Sequence, residues 1–187
     1  MLDADCVVEK RNMLFRDFAM ICERVEELSG RLEMIDEVAG VLPALDDAEL
    51  PVFVRFIMGR VFPDWSPLKL GIGPNLLYEA VAYVVGKKRE TVVEKVSAEG
   101  DVGKAVELLL AGKTQTSFFS EEMTIGDVSA ACEEIALSWG KKSQREKLLA
   151  VRKLFANVQP AEGRYLARLI LRELRIGIGE GNVRDAI

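Results

Sequence analysis

Apolar residues recur along this chain at intervals of three and four, and no stretch alternates apolar with polar over the length of a strand. That spacing places them on single faces of helices. Phe15, Phe18, Cys22 and Val25 form one stripe, with Ala19 beside it. Ile35, Val38 and Leu42 form a second. Phe53, Phe56 and Ile57 form a third, after a start signal at Asp46-Asp47. Pro74 opens a helix through Leu77, Ala80, Val81 and Val84, since proline suits a first helical turn. Thr124-Ile-Gly-Asp127 reads as a capping box ahead of Val128, Ala131, Cys132 and Ile135. Ser143-Gln-Arg-Glu146 reads as another, ahead of Leu149 and Leu154. Pro160 opens a helix carrying Tyr165, Leu166, Leu169 and Ile170. The pattern predicts an all-α fold of about ten or more short helices, with one long polar loop over 112–122. The length of 187 residues and an apolar share of 49% suit a single domain spanning 1–187, built as one unit or as two packed halves.

A repeat favours two halves. Leu68-Lys-Leu-Gly-Ile-Gly-Pro-Asn-Leu-Leu-Tyr-Glu-Ala-Val81 aligns without gaps on Leu174-Arg-Ile-Gly-Ile-Gly-Glu-Gly-Asn-Val-Arg-Asp-Ala-Ile187, with 10 of 14 positions identical or conservative. The predicted halves are related by a pseudo-two-fold axis. Each copy reads as a basic residue (Lys69 or Arg175), a glycine-rich turn (Gly71 and Gly73, or Gly177 and Gly179) and a helix start. Backbone N–H groups at such a turn, with the helix dipole behind them, suit a phosphate. The same glycines would also serve a tight helix–helix turn. A second pattern, A-x-x-x-G-K-K, occurs at Ala82–Lys88 and Ala136–Lys142 and reads as helix C-capping by glycine. In its second occurrence Lys141, Lys142, Ser143, Arg145 and Lys147 gather at a helix N-terminus, as a phosphate backbone would require.

Charge changes the picture in one respect. The net charge is −5, yet residues 141–187 hold 11 basic against 5 acidic side chains, while residues 1–50 hold 5 against 13. An acidic chain of this kind can present a local basic stripe, or simply a solvated surface.

The chemistry of catalysis is harder to find. The chain has no histidine, no G-x-x-x-x-G-K-[S/T] phosphate loop and no K-x-D-G nucleophile motif of lysyl-adenylate enzymes. The chain alone is therefore expected to be non-catalytic and to hold no metal. Three scattered cysteines, Cys6, Cys22 and Cys132, point to a reducing cytoplasm, and neither a secretory signal nor a membrane-spanning apolar run is visible.

Several segments together resemble the N-terminal domain of archaeal and eukaryotic replicative ATP-dependent DNA ligases, the archaeal form most. They are Val54-Arg-Phe-Ile-Met-Gly-Arg-Val-Phe-Pro-Asp-Trp65, Leu70–Gly73, Glu99-Gly-Asp-Val-Gly103, Arg164-Tyr-Leu-Ala-Arg168 and Leu174–Gly179. The resemblance implies a monomeric, all-helical DNA-binding domain that grips nicked duplex through the minor groove and phosphates, in support of nick sealing in replication and repair. It implies contacts at Gly71, Gly73 and Asn75, at Arg175, Gly177, Gly179 and Glu180, at a third turn of Gly100, Asp101 and Gly103, and at Arg168. ATP and magnesium would serve the adenylation domain of the full ligase, not this chain. Gln115-Thr-Ser-Phe-Phe119 resembles the sliding-clamp box of archaeal ligases, with Gln115, Phe118 and Phe119 as anchors. Exposed loop aromatics suit a partner's apolar pocket, or pin the loop to its own core. The alternative for the whole chain is a helical protein-interaction scaffold with little DNA affinity.

Overall fold

A computed structural model describes residues 12–113, 122–138 and 143–187. Among them are ten α-helices and no sheet: α1 (Phe15–Glu27), α2 (Arg31–Val41), α3 (Glu49–Ile57), α4 (Pro74–Val85), α5 (Arg89–Glu99), α6 (Val102–Ala111), α7 (Ile125–Leu137), α8 (Ser143–Asn157), α9 (Pro160–Ile170) and α10 (Glu180–Ala186), with a 3₁₀ turn over Leu42–Ala44. The all-α reading is correct. Cys6, Gln115, Phe118, Phe119, Lys141 and Lys142 lie outside the described residues.

Most local start signals act as read. Asp46 accepts hydrogen bonds from the Ala48 and Glu49 amides ahead of α3. Thr124 and Asp127 form the reciprocal capping box of α7. Glu162 Oε2 accepts from the Gln159 amide ahead of α9, a start signal that sequence reading missed. Ser143 is itself the first residue of α8. The A-x-x-x-G-K-K pattern splits: Gly86 ends α4 in the left-handed region at φ 65°, whereas α7 already stops at Leu137 with an extended Ser138.

The core is continuous. Phe18 packs edge-on against Phe53 and Phe56, with ring centroids 6.2 and 5.8 Å away, and stacks on Phe15 at 5.5 Å. An isolated antiparallel bridge between Leu14 and Thr124 ties the start of α1 to the start of α7. Helix α9 is the central strut, with Tyr165, Leu166, Ala167, Leu169 and Ile170 all buried, and it packs on α1 and α6. Two glycines permit the α6–α9 approach: a Cβ at Gly103 would sit 2.7 Å from the Arg164 carbonyl oxygen, and one at Gly163 would sit 2.3 Å from Leu110 Cδ1. Helix α4 packs on α5 and α8, and α10 on α2.

Two stripes depart from expectation. In α2 the buried residues are Met34 and Val38, with Ile35 only partly covered. In α8 the inner face runs Lys147, Val151, Leu154 and Phe155, while Leu149 is exposed. No helix among the described residues is long and apolar enough to cross a membrane.

Candidate nucleic-acid interface

The sequence repeat is a repeat of conformation. Helix α3 ends at Gly59 (φ 73°), where the Gly59 amide donates to the Phe56 carbonyl and the Arg60 amide to the Arg55 carbonyl. Helix α9 ends at Arg172 (φ 59°), where the Arg172 amide donates to Leu169 and the Glu173 amide to Arg168. Both patterns satisfy the last carbonyls of a helix by the same paired bonds. The chain then runs extended with apolar residues inward: Leu70 and Ile72 in the first copy, Leu174 and Ile176 in the second. Lys69, Gly71 and Gly73 therefore point outward, as do Arg175, Gly177 and Gly179.

The glycines divide into two kinds, in the same order in each copy. Gly71 and Gly177 are left-handed, at φ 62° and 86°. Gly73 and Gly179 are the extended N-cap residues of α4 and α10, with φ −100° and −97°. At Gly73 and Gly179 a Cβ would meet nothing within 4 Å. Neither backbone conformation nor internal packing requires glycine there. Each also leaves its helix without a side-chain cap, although serine, threonine or aspartate would cap it well. The result is an uncapped helix start facing outward with no side chain over it.

The two turns adjoin. Arg60, which follows α3, bridges to Glu180 Oε2 at 3.0 Å and to Asp64 at 2.6 Å, joining the approach to the first turn to the start of α10. A cavity of about 410 Å³ lies between Lys69–Ile72 and Ile170–Arg172. Arg175 is 72% exposed at its side chain, with Glu173 at 4.0 Å. It holds φ 47°, a conformation uncommon for a residue with a side chain. On the far side of the first turn, Asn75, Arg89, Gln144 and Arg145 line a groove of about 420 Å³, so Arg145 does reach the first turn. Asn75 Oδ1 accepts a 2.6 Å bond from Arg89.

The expected third turn and Arg168 are placed differently from the two glycine turns, and mostly inward. Gly100 is the exposed left-handed cap of α5 at φ 65°. Asp101 is committed inward: it caps α6 through the Lys104 amide and receives Arg168 through both carboxylate oxygens, at 3.1 and 2.9 Å. Gly103 is buried against α9. Arg168 is 2% exposed and also meets Glu26 at 3.1 Å, which in turn accepts from Tyr165 and Arg164. This cluster ties α1, α6 and α9 together. Burial pushes the Asp101 and Glu26 carboxyls up, but hydrogen bonds and charge from Arg168 outweigh it and hold both below their ordinary values.

Lys147, which the sequence groups with Arg145 at the start of α8, turns inward. Its ammonium donates to the Leu70 carbonyl at 2.7 Å and lies 2.8 Å from where a Cβ of Gly71 would be. The available signal was its register, four residues before Val151 and seven before Leu154 on the inner face of α8.

Residues 14–187 match the family model of the DNA ligase N terminus. A DNA ligase of Methanoculleus marisnigri is 65% identical over 175 residues, covering 94% of this chain and 32% of the relative. A DNA ligase of Methanosphaerula palustris is 58% identical and one of Archaeoglobus fulgidus 41% identical, with the same coverage. The chain spans about a third of the length of these relatives. With helices throughout, two matching glycine turns and a family match over nearly its whole length, the chain belongs to the DNA ligase N-terminal family.

Proposed function

We propose that this domain grips nicked duplex DNA for an archaeal ATP-dependent ligase, through backbone phosphates at two adjacent glycine turns. One observation carries the reading. Gly73 and Gly179 stand at uncapped, outward-facing helix starts where nothing inside the protein calls for glycine. Glycine there allows another backbone to approach closely. Lys69 and Arg175 stand four residues earlier and add charge suited to phosphates rather than base edges. Family membership supports the same reading. Binding should be largely independent of sequence, as for minor-groove and phosphate contacts generally.

Catalysis is assigned to the part of the ligase outside these residues. The K-x-D-G lysine is absent from the chain, and no group of three acidic, histidine or cysteine side chains among the described residues could hold a metal ion.

The test is binding of a labelled nicked duplex across a salt series, with intact duplex beside it. The logarithm of affinity should fall linearly with the logarithm of salt, by about 0.9 per phosphate neutralised. Arg175→Ala should weaken binding to many sequences about equally. No binding at about 50 mM salt would refute the reading and favour a helical interaction scaffold.

A clamp tether is proposed beside it, on the sequence Gln115-Thr-Ser-Phe-Phe119 alone. Phe118→Ala with Phe119→Ala should abolish binding to a sliding clamp and leave DNA affinity unchanged; retained clamp binding would remove the proposal.

A further inference from the structure

Resting on the DNA-binding reading, we infer that the two turns are unequal. The first turn is a built phosphate cradle, with Arg89 and Arg145 on one side and the buried ammonium of Lys147 beneath, and it carries most of the electrostatic grip.

Lys147 is 9% exposed. One of its three N–H donors is used, by the Leu70 carbonyl, and no carboxylate lies within ion-pair distance among the described residues. A buried cation without a counter-ion is costly. Here it is held directly against the exposed Gly71, where an external anion would neutralise it. Across the turn, Arg89 opens α5 and Arg145 lies in the first turn of α8; both are exposed and line the groove beside Asn75. Arg89 is held by Asn75 Oδ1, and neither arginine forms an ion pair among the described residues. Glu79 is the one acid lining that groove, and it is turned toward Arg152 at 3.5 Å.

The second turn lacks these features. The residue at the start of its helix is Glu180, where the first turn has Pro74, so an acid already occupies the position that favours an anion. Arg175 has Glu173 beside it, and Asp185 pairs with Arg31 of α2. Among the described residues no lysine lies under Gly177; the neighbour there is Met34 Cε, 3.4 Å from where a Cβ would be.

The test compares salt dependence of nicked-duplex binding for the wild-type chain, Arg89→Gln with Arg145→Gln, Arg172→Gln with Arg175→Gln, and Lys147→Gln, each checked by thermal melting. The first-turn pair should lower the slope by about 1 to 2 and the second-turn pair by less. Lys147→Gln should lower it by up to about 1 although no exposed charge is removed. Should Lys147→Gln fail to fold, the two arginine pairs decide alone. Equal or larger loss from the second-turn pair would overturn this inference while leaving the DNA reading intact. A wild-type chain with no salt-dependent binding would overturn both.

Discussion

Gly71 and Gly177 lie 106 positions apart in sequence and adopt the same left-handed conformation, at φ 62° and 86°. Each sits between a buried aliphatic residue and an extended glycine that starts a helix. The repeat therefore preserves a backbone path as well as a composition. Alanine at either position should cost about 1 kcal/mol from the left-handed region alone, and so lower the melting temperature by roughly 2–4 °C in a domain of this size. Gly71→Ala should cost more than Gly177→Ala, because its Cβ would press on Lys147 Nζ at 2.8 Å, whereas Gly177 has Met34 Cε at an ordinary 3.4 Å. Thermal melting of the two variants checks the order.

Gly103 and Gly163 give a second comparison. Gly103→Ala drives a methyl against the Arg164 carbonyl, which is backbone, and should cost about 1–3 kcal/mol by overpacking. Gly163→Ala meets the end of the Leu110 side chain, which can turn away, and should cost less. Denaturant unfolding measures both; the reverse order would mean that α6 and α9 shift apart more readily than their contact suggests.

The Asp101–Arg168–Glu26 cluster should make stability acid-sensitive. Both carboxyls are held below their ordinary values, so their contribution is fully present above the unfolded values of about 4 and is lost as pH falls through the lower folded values. Burial pushes Glu49 and Glu162 the opposite way, so those two groups oppose the trend. Asp101→Asn isolates the effect. It should destabilise at pH 7, and its gap from the wild type should narrow as pH falls below about 4. A gap independent of pH would show that the ionised form of Asp101 does not matter.

Arg168→Met should be among the most damaging single changes, costing about 3 kcal/mol by leaving Asp101 without its cation and Glu26 with Arg164 alone. Being buried, Arg168 should contribute nothing to the salt slope of DNA binding measured on folded protein. A reduced slope would place it at the phosphates after all.

Helix positions were legible because periodicity and caps are local. The glycine turns were legible because they occur twice. The faces of α2 and α8 were less so. Helix α8 carries cations at Arg145, Lys147, Arg152 and Lys153, so its apolar side is poorly marked, and only the register of Lys147 with Val151 and Leu154 shows that it rather than Leu149 turns inward. Arg168 and Asp101 were read as surface contacts because their partnership spans 67 positions and, with Glu26, 142. Such pairs depend on tertiary packing and leave no local trace. Composition also could not tell the left-handed Gly71 and Gly177 from the extended Gly73 and Gly179.

The distinction between those glycines supplies the most direct test of phosphate gripping. Aspartate is a favoured N-cap residue, and both Gly73 and Gly179 have extended φ and room for a side chain. Gly73→Asp with Gly179→Asp should leave the melting temperature unchanged or raised, yet lower affinity for a nicked duplex at least about tenfold, because a carboxylate would occupy the place proposed for the phosphate. Unchanged affinity in a stably folded variant would contradict the account.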